Sequence, residues 1–148
     1  MRVVSRNNNA FTLIEVLIVV VIMAVLAATV IPQFASSTTD AKESTAKFNM
    51  HSLRSQIELY RIHHGEYPSL TDNSLPQMLD KTDAGGTISS TGAFGPYLDA
   101  IPPNPYDNET LIYTAGSDSP TEETTEAKGW QYHAASGGIW PNNPEFWD

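Results

Sequence analysis

One apolar stretch near the N-terminus constrains this 148-residue chain more than any other feature. Residues 11–31 read FTLIEVLIVVVIMAVLAATVI, in which Glu15 is the only charged side chain. As an α-helix the stretch would be about 31 Å long, which matches the roughly 30 Å hydrocarbon core of a bilayer. The sequence therefore predicts a membrane-spanning helix, followed by a body long enough for one domain.

Charge is distributed unevenly on the two sides of this stretch. Arg2 and Arg6 precede it without an acidic neighbour, whereas the other six basic and sixteen acidic residues lie from residue 32 onward. Positive charges are retained on the cytoplasmic side of a membrane, so we expect a cytoplasmic N-terminus and an exported, acidic body. The formal net charge of −9 excludes a general nucleic-acid binder, which needs a basic face.

A cleaved secretory signal peptide is the competing interpretation, with Ala27 ending a small-residue cleavage site. Three observations argue against it. The apolar run is longer than the usual 7–15 residues, Glu15 would cost about 2.5–3.5 kcal/mol to bury in lipid, and the helical pattern continues beyond the run. We therefore favour a span that is retained.

Downstream of Pro32 the chain becomes polar, and an apolar helical face then returns. Four residues at 3-4-3 spacing form it: Met50, Leu53, Ile57 and Tyr60. Gly65 is a typical C-terminal cap, and Pro68 prevents the helix from resuming. The pattern predicts one helix over residues 11–64, bent at Pro32, whose apolar stripe packs on the chain's own sheet.

The remaining residues, 65–148, are rich in loops and turn residues. The expected elements are a short helix at 74–79 and strands at 111–114, 130–134 and 138–140, the last two forming a hairpin. The predicted fold class is α+β: a long N-terminal helix, membrane-spanning over residues 11–31 and amphipathic over 32–64, packed on a small antiparallel C-terminal sheet in a loop-rich head.

The string from Ala10 to Glu15, AFTLIE, has a short basic leader before it and an apolar run ending at Pro32 after it. This arrangement resembles the processing motif of type IV pilins and type II secretion pseudopilins. In that family, a prepilin peptidase on the cytoplasmic face cuts before the phenylalanine and N-methylates it. The resemblance implies a leader peptide of residues 1–10 and a new N-terminus at Phe11. Ala10 stands where the family usually has glycine.

Later segments resemble the major pseudopilin of type II secretion, namely HGEYP at 64–68, GPYLDAIPPNP at 95–105 and the closing residues 129–142. Type IV pilins commonly close this region with a disulfide, and the chain has no cysteine. The resemblance implies a structural subunit and no enzyme. It would form a homopolymer that an inner-membrane platform with a cytoplasmic ATPase assembles, with the head periplasmic.

Two other functions stay open at this stage. The first is a subunit of a type IV pilus. The second is a membrane-anchored or secreted binding module that uses its acidic loop and the aromatic side chains of Trp130, Tyr132 and Trp140 on a small ligand. Such aromatic residues more often pack inside a small domain.

Glu15 is the residue on which assembly is expected to depend. A lone carboxylate in an apolar helix must be neutral or paired, and cleavage would create an α-amine on Phe11. The resemblance implies that the amine of an arriving subunit pairs with Glu15 of the preceding one. The alternative is a favourable interaction with the helix dipole alone. Pro32 either kinks the helix or ends it, and the resemblance implies local loss of helical hydrogen bonds in the filament.

The acidic loop near the last strands is the one candidate metal site. The resemblance implies that it could hold calcium through hard oxygen ligands, the candidates being Asp118, Glu122, Glu123 and Glu126. A solvated surface loop is the alternative. His63 and His64 are adjacent, so their side chains should point about 100° apart and chelate one ion poorly. No other cofactor is expected.

Overall fold

A computed structural model describes residues 11–116, 118–120 and 129–147, apart from the side chain of Ala35. The chain divides into two compact units, Met1–Asp40 and Ala41–Asp148, which we call the N-terminal unit and the head unit. The helices and strands are α1 (Leu13–His64), α2 (Pro76–Leu79), β1 (Ile112–Thr114), β2 (Trp130–His133) and β3 (Gly138–Pro141), followed by a 3₁₀ turn at Pro144–Phe146.

Helix α1 begins at Leu13, two residues after the predicted start, and continues through Pro32. Of the two alternatives for Pro32, the one in which the helix ends there is therefore wrong, and the prediction of one helix through Pro32 to His64 is confirmed. An 18-residue window of α1 has a mean hydropathy of 3.0, and none of that window is buried within the chain. By length and composition the helix can cross a membrane. The predicted division between residues 31 and 32 stays a prediction.

The other end of α1 lies in the head unit and stops at His64, as the sequence predicts. Gly65 adopts a left-handed φ of +81°, and its N–H donates to the carbonyl of Arg61 at 2.8 Å. This geometry is a glycine C-cap, which satisfies a carbonyl of the last turn without strain on a Cβ.

The three strands form one sheet in the order β1-β2-β3. Strands β2 and β3 form the predicted antiparallel hairpin, but β1 and β2 run parallel. The prediction of a wholly antiparallel sheet is therefore wrong, and the sheet is mixed. Fifteen residues, 115–129, join β1 to β2, and a connection of that length can return the chain to the same end of the sheet.

The predicted stripe of α1 is the helical side of the head unit's core. Leu53 and Ile57 are fully buried, and they belong to the same apolar cluster as β1, β2 and β3 residues. Arg54 adds a polar link, since its Nε donates to the carbonyl of Ile139 at 3.1 Å. The α+β class and the packing of the helix on the small sheet are confirmed.

The aromatic residues of the hairpin are part of this core. Trp130 and Tyr132 are fully buried, and Trp140 is almost so. The indole of Trp130 donates to the carbonyl of Pro102 at 2.8 Å, and the hydroxyl of Tyr132 donates to that of Pro68 at 2.8 Å. The hypothesis of a ligand-binding surface made of these three rings is therefore wrong, because the rings are packed in the interior of the head unit.

The loop before the sheet is ordered around Asn104. Its buried side chain donates to the carbonyl of Gly129 at 2.9 Å and accepts from the N–H of Tyr106 at 3.1 Å. The backbones of Gly129 and Glu109 also lie close together. Glycine is needed at position 129, because a Cβ there would collide with the backbone carbonyl of Glu109. Side-chain hydrogen bonds thus replace regular secondary structure in this segment.

Candidate assembly site at the start of the long helix

The start of α1 is organised by a reciprocal set of hydrogen bonds between Thr12 and Glu15. The carboxylate oxygen Oε2 of Glu15 accepts from the N–H of Thr12 at 2.8 Å and from its hydroxyl at 2.7 Å. The N–H of Glu15 approaches the Thr12 hydroxyl oxygen at 3.3 Å. With Leu13 as the first helical residue, this is a capping box, which satisfies donors that have no intrahelical partner.

Glu15 is a predicted site residue, whereas Thr12 is a site residue that was not predicted. The signal was present, because a threonine three residues before a glutamate at the start of an apolar helix is the capping-box pattern. The structure gives the Glu15 carboxylate a fixed direction, toward the backbone of the residue that follows Phe11. The helix-dipole explanation alone is therefore incomplete, since the carboxylate also bonds the helix start directly.

Glu15 opens onto a groove with apolar walls. Its other lining residues are Phe11, Val16, Val19 and Val20. Phe11 is 86% exposed, and the apolar side chains that follow it along the N-terminal unit are exposed as well. Such a surface needs a cover that the described part of the chain does not supply, either lipid or apolar helices of other molecules.

The other predicted site residues lie apart from this cluster or outside the description. Pro32 lies seventeen residues after Glu15 in the interior of α1, and the structure does not bring the two together. Ala10 and the rest of the leader lie outside the described residues, so the position of the cut stays a prediction.

Of the four acidic residues proposed to bind calcium, only Asp118 is described; Glu122, Glu123 and Glu126 lie outside the described residues. Asp118 Oδ1 is 2.8 Å from Nδ1 of His133, which is also 2.8 Å from the hydroxyl of Ser136. The exposed carboxylate thereby ties the segment after β1 to the β2–β3 hairpin.

Two protein families match the chain. Residues 5–31 match the prokaryotic N-terminal methylation motif, and residues 33–127 match type II secretion system protein G. The chain belongs to the type II secretion system protein G family. This membership makes it a pilin-like major pseudopilin, and the methylation motif fits prepilin processing.

Curated relatives agree with this assignment. The type II secretion system core protein G of Pseudomonas aeruginosa is 31% identical over 115 residues, which are 78% of this chain and 80% of that protein. The core protein G of Aeromonas hydrophila is 27% identical over 112 residues, 76% and 77% of the two chains. No solved structure matches the chain.

A fimbrial protein of Neisseria meningitidis is 32% identical over 94 residues, which are 64% of this chain but only 49% of that protein. The protein G match covers most of the region beyond the apolar helix, so the assignment to a type IV pilus is not favoured. Membership in the pseudopilin family implies filament assembly. Together with the apolar helix, it fits a protein anchored in the inner membrane.

Proposed function

We propose that this chain is the structural subunit of a type II secretion pseudopilus and has no catalytic role. It is inserted in the inner membrane with its N-terminus in the cytoplasm and its head in the periplasm. A prepilin peptidase cuts between Ala10 and Phe11 and methylates the new N-terminus. A membrane platform driven by a cytoplasmic ATPase then adds subunits to the filament, and the growing filament drives protein export.

The observation that supports this proposal is the position of Glu15. Its carboxylate is held at the start of a helix whose large apolar side chains are exposed over residues 13–34. In lipid, an unpaired carboxylate costs about 2.5–3.5 kcal/mol. An α-amine on the Phe11 of an arriving subunit would offset that cost, because opposite charges attract strongly where water is excluded.

The capping box adds a geometric element to this pairing. Both observed bonds from Thr12 to the carboxylate end on one oxygen, Oε2. A carboxylate has about four acceptor positions, so it can accept an amine from a second subunit while it keeps the helix start capped. We infer that Thr12 orients Glu15, and that Glu15 sets the register between subunits.

We also propose that the acidic loop binds calcium in the periplasm through Asp118, Glu122, Glu123 and Glu126. The carboxylates are hard oxygen donors of the kind that calcium prefers. Asp118, which pairs with His133, would join the loop to the hairpin and so let the ion stabilise the head unit.

The test of the assembly role separates charge from capping. Glutamine can replace glutamate in a capping box, so Glu15→Gln should keep the helix start and lose the charge. We expect normal amounts of processed protein in the membrane and at least a tenfold loss of sheared filaments. Glu43→Gln is the matched control, because Glu43 is an exposed carboxylate on the same helix, 2.5 Å from Lys47, and such pairs contribute little.

The measurement is the filament yield after shearing, beside the quantity and N-terminal mass of the membrane form. Abundant filaments from processed Glu15→Gln subunits would show that apolar packing alone sets the register. Loss of filaments in Glu43→Gln as well would indicate that any lost carboxylate is harmful.

A further inference from the structure

A second polar cluster lies in the head unit, at the C-terminal end of α1. Nδ1 of His63 is 2.9 Å from the hydroxyl oxygen of Tyr97, and Nε2 of His64 is 3.0 Å from the same oxygen. Adjacent side chains on a helix point about 100° apart. The loop that follows α2 nevertheless brings the hydroxyl oxygen of Tyr97 within hydrogen-bonding distance of a nitrogen in each of the two rings.

The contacts of His64 favour one of its two neutral tautomers. Nδ1 lies 3.4 Å from the backbone carbonyl of Ala84, and a carbonyl only accepts hydrogen bonds. This contact favours the tautomer with the proton on Nδ1, in which Nε2 presents its lone pair toward Tyr97. A metal-binding histidine typically has this arrangement, with its second nitrogen bonded to a backbone carbonyl.

We propose that His63 Nδ1, His64 Nε2 and the Tyr97 hydroxyl oxygen form a binding site for a first-row transition ion, zinc or copper. Around a tetrahedral zinc ion with bonds of about 2.0–2.1 Å, neighbouring ligand atoms lie about 3.3–3.4 Å apart. The two separations of 2.9 and 3.0 Å need to open by only a few tenths of an ångström. Water would complete the coordination.

The environment suits a cation. The site lies at the C-terminal, partially negative end of α1, and His63 is exposed, which gives an ion a way in. Tyr97 is largely buried, and its hydroxyl oxygen faces both imidazole rings. Within the described residues no three His, Asp or Glu side chains converge, so the phenol is the essential third donor.

Thr82 is a further polar neighbour of this cluster. The hydroxyl of Thr82, which is fully buried, lies 3.1 Å from Nε2 of His64. In the metal-free protein this hydroxyl can donate to the Nε2 lone pair, and an ion bound to Nε2 would replace that hydrogen bond. The site differs from the acidic loop in its chemistry, because imidazole nitrogen selects transition ions whereas calcium requires oxygen ligands.

The test is a zinc titration of the full chain in detergent micelles by calorimetry. We expect one zinc site, weakened at least tenfold by His63→Ala, by His64→Ala and by Tyr97→Phe. His51→Ala is the matched control, because it removes an exposed histidine from the same helix, and it should leave zinc affinity unchanged. With copper, a phenolate-to-metal absorption band should form in the parent chain and be absent in Tyr97→Phe.

Circular dichroism without metal reports whether each variant is folded. If Tyr97→Phe is unfolded, His63→Ala still tests the proposal, because truncating an exposed side chain should leave the head unit folded. A parent chain that binds no zinc would overturn the proposal. Equal zinc affinity in the parent and in the folded His63→Ala and His64→Ala variants would overturn it too, since the ion would then bind elsewhere.

Discussion

The two units of the molecule differ in the exposure of their apolar helical side chains. Leu17 and Val20 in the N-terminal unit are about half exposed, whereas Leu53 and Ile57 in the head unit are fully buried. All four lie on one helix, α1. Intrinsic helix preference therefore does not distinguish the two parts. The difference lies in what covers the apolar side chains. In the head unit a sheet and loops of the same chain bury them, whereas in the N-terminal unit lipid or neighbouring subunits are needed to cover them.

Polar groups follow the same division. In the N-terminal unit, the Thr29 hydroxyl donates to the carbonyl of Leu26, three residues earlier in the same helix. In the head unit, the Tyr132 hydroxyl donates to Pro68, which is sixty-four residues away. A helix destined for lipid has to satisfy its polar groups locally, whereas a water-soluble unit can use them to join distant segments.

The largest effect expected from this contrast comes from truncating one leucine in each unit. Leu53→Ala opens a cavity in the core and should lower the free energy of unfolding of the head by about 2–5 kcal/mol. Leu17→Ala removes the same atoms where the chain provides no cover, and should change it by less than about 0.5 kcal/mol. Denaturant unfolding followed by tryptophan fluorescence is specific for the head, because all three tryptophans lie there. Equal losses would contradict the division.

Calcium offers a second way to sharpen the contrast, since the proposed loop site would stabilise the head unit alone. An ion at about one hundred times its dissociation constant adds roughly 2.7 kcal/mol to the folded state. Thermal melting with calcium or chelator should show this, and Asp118→Asn combined with Glu126→Gln should abolish it. Asp99→Asn, at another exposed head carboxylate, is the control. A melting curve that calcium leaves unchanged would make the loop a solvated surface feature.

The smallest effect concerns the buried hydroxyl of Tyr132. Burial raises the pKa of this phenol above its ordinary value. Its contribution to stability is therefore complete below pH about 10 and is lost as the pH rises further, because only the unfolded chain can then ionise it. Tyr132→Phe should cost about 1 kcal/mol near neutral pH through the lost bond to Pro68. The difference in free energy of unfolding between this variant and the parent chain, measured by urea unfolding, should become smaller at alkaline pH. If this difference is the same at all pH values, ionisation of Tyr132 does not contribute to the stability of the head unit.

The accuracy of sequence reasoning depended on how far apart the interacting residues are. The end of α1 at His64 was predictable, because Gly65 and Pro68 act within one turn. The direction of β1 was not, since its pairing with β2 depends on the path of a long connection. The pairing of Thr12 with Glu15 was also predictable, because the two residues have the three-residue spacing of a capping box.

The sequence alone determined the apolar helix, the single carboxylate within it, the processing motif and the stripe on the second half of α1. Each is a matter of composition or of periodicity over a few turns, which local geometry converts directly into structure. Only the tertiary structure decided that β1 runs parallel to β2, that the hairpin aromatics are core residues, and that Tyr97 meets both His63 and His64. Those contacts join residues more than fifteen positions apart, and the packing of the whole head unit selects them.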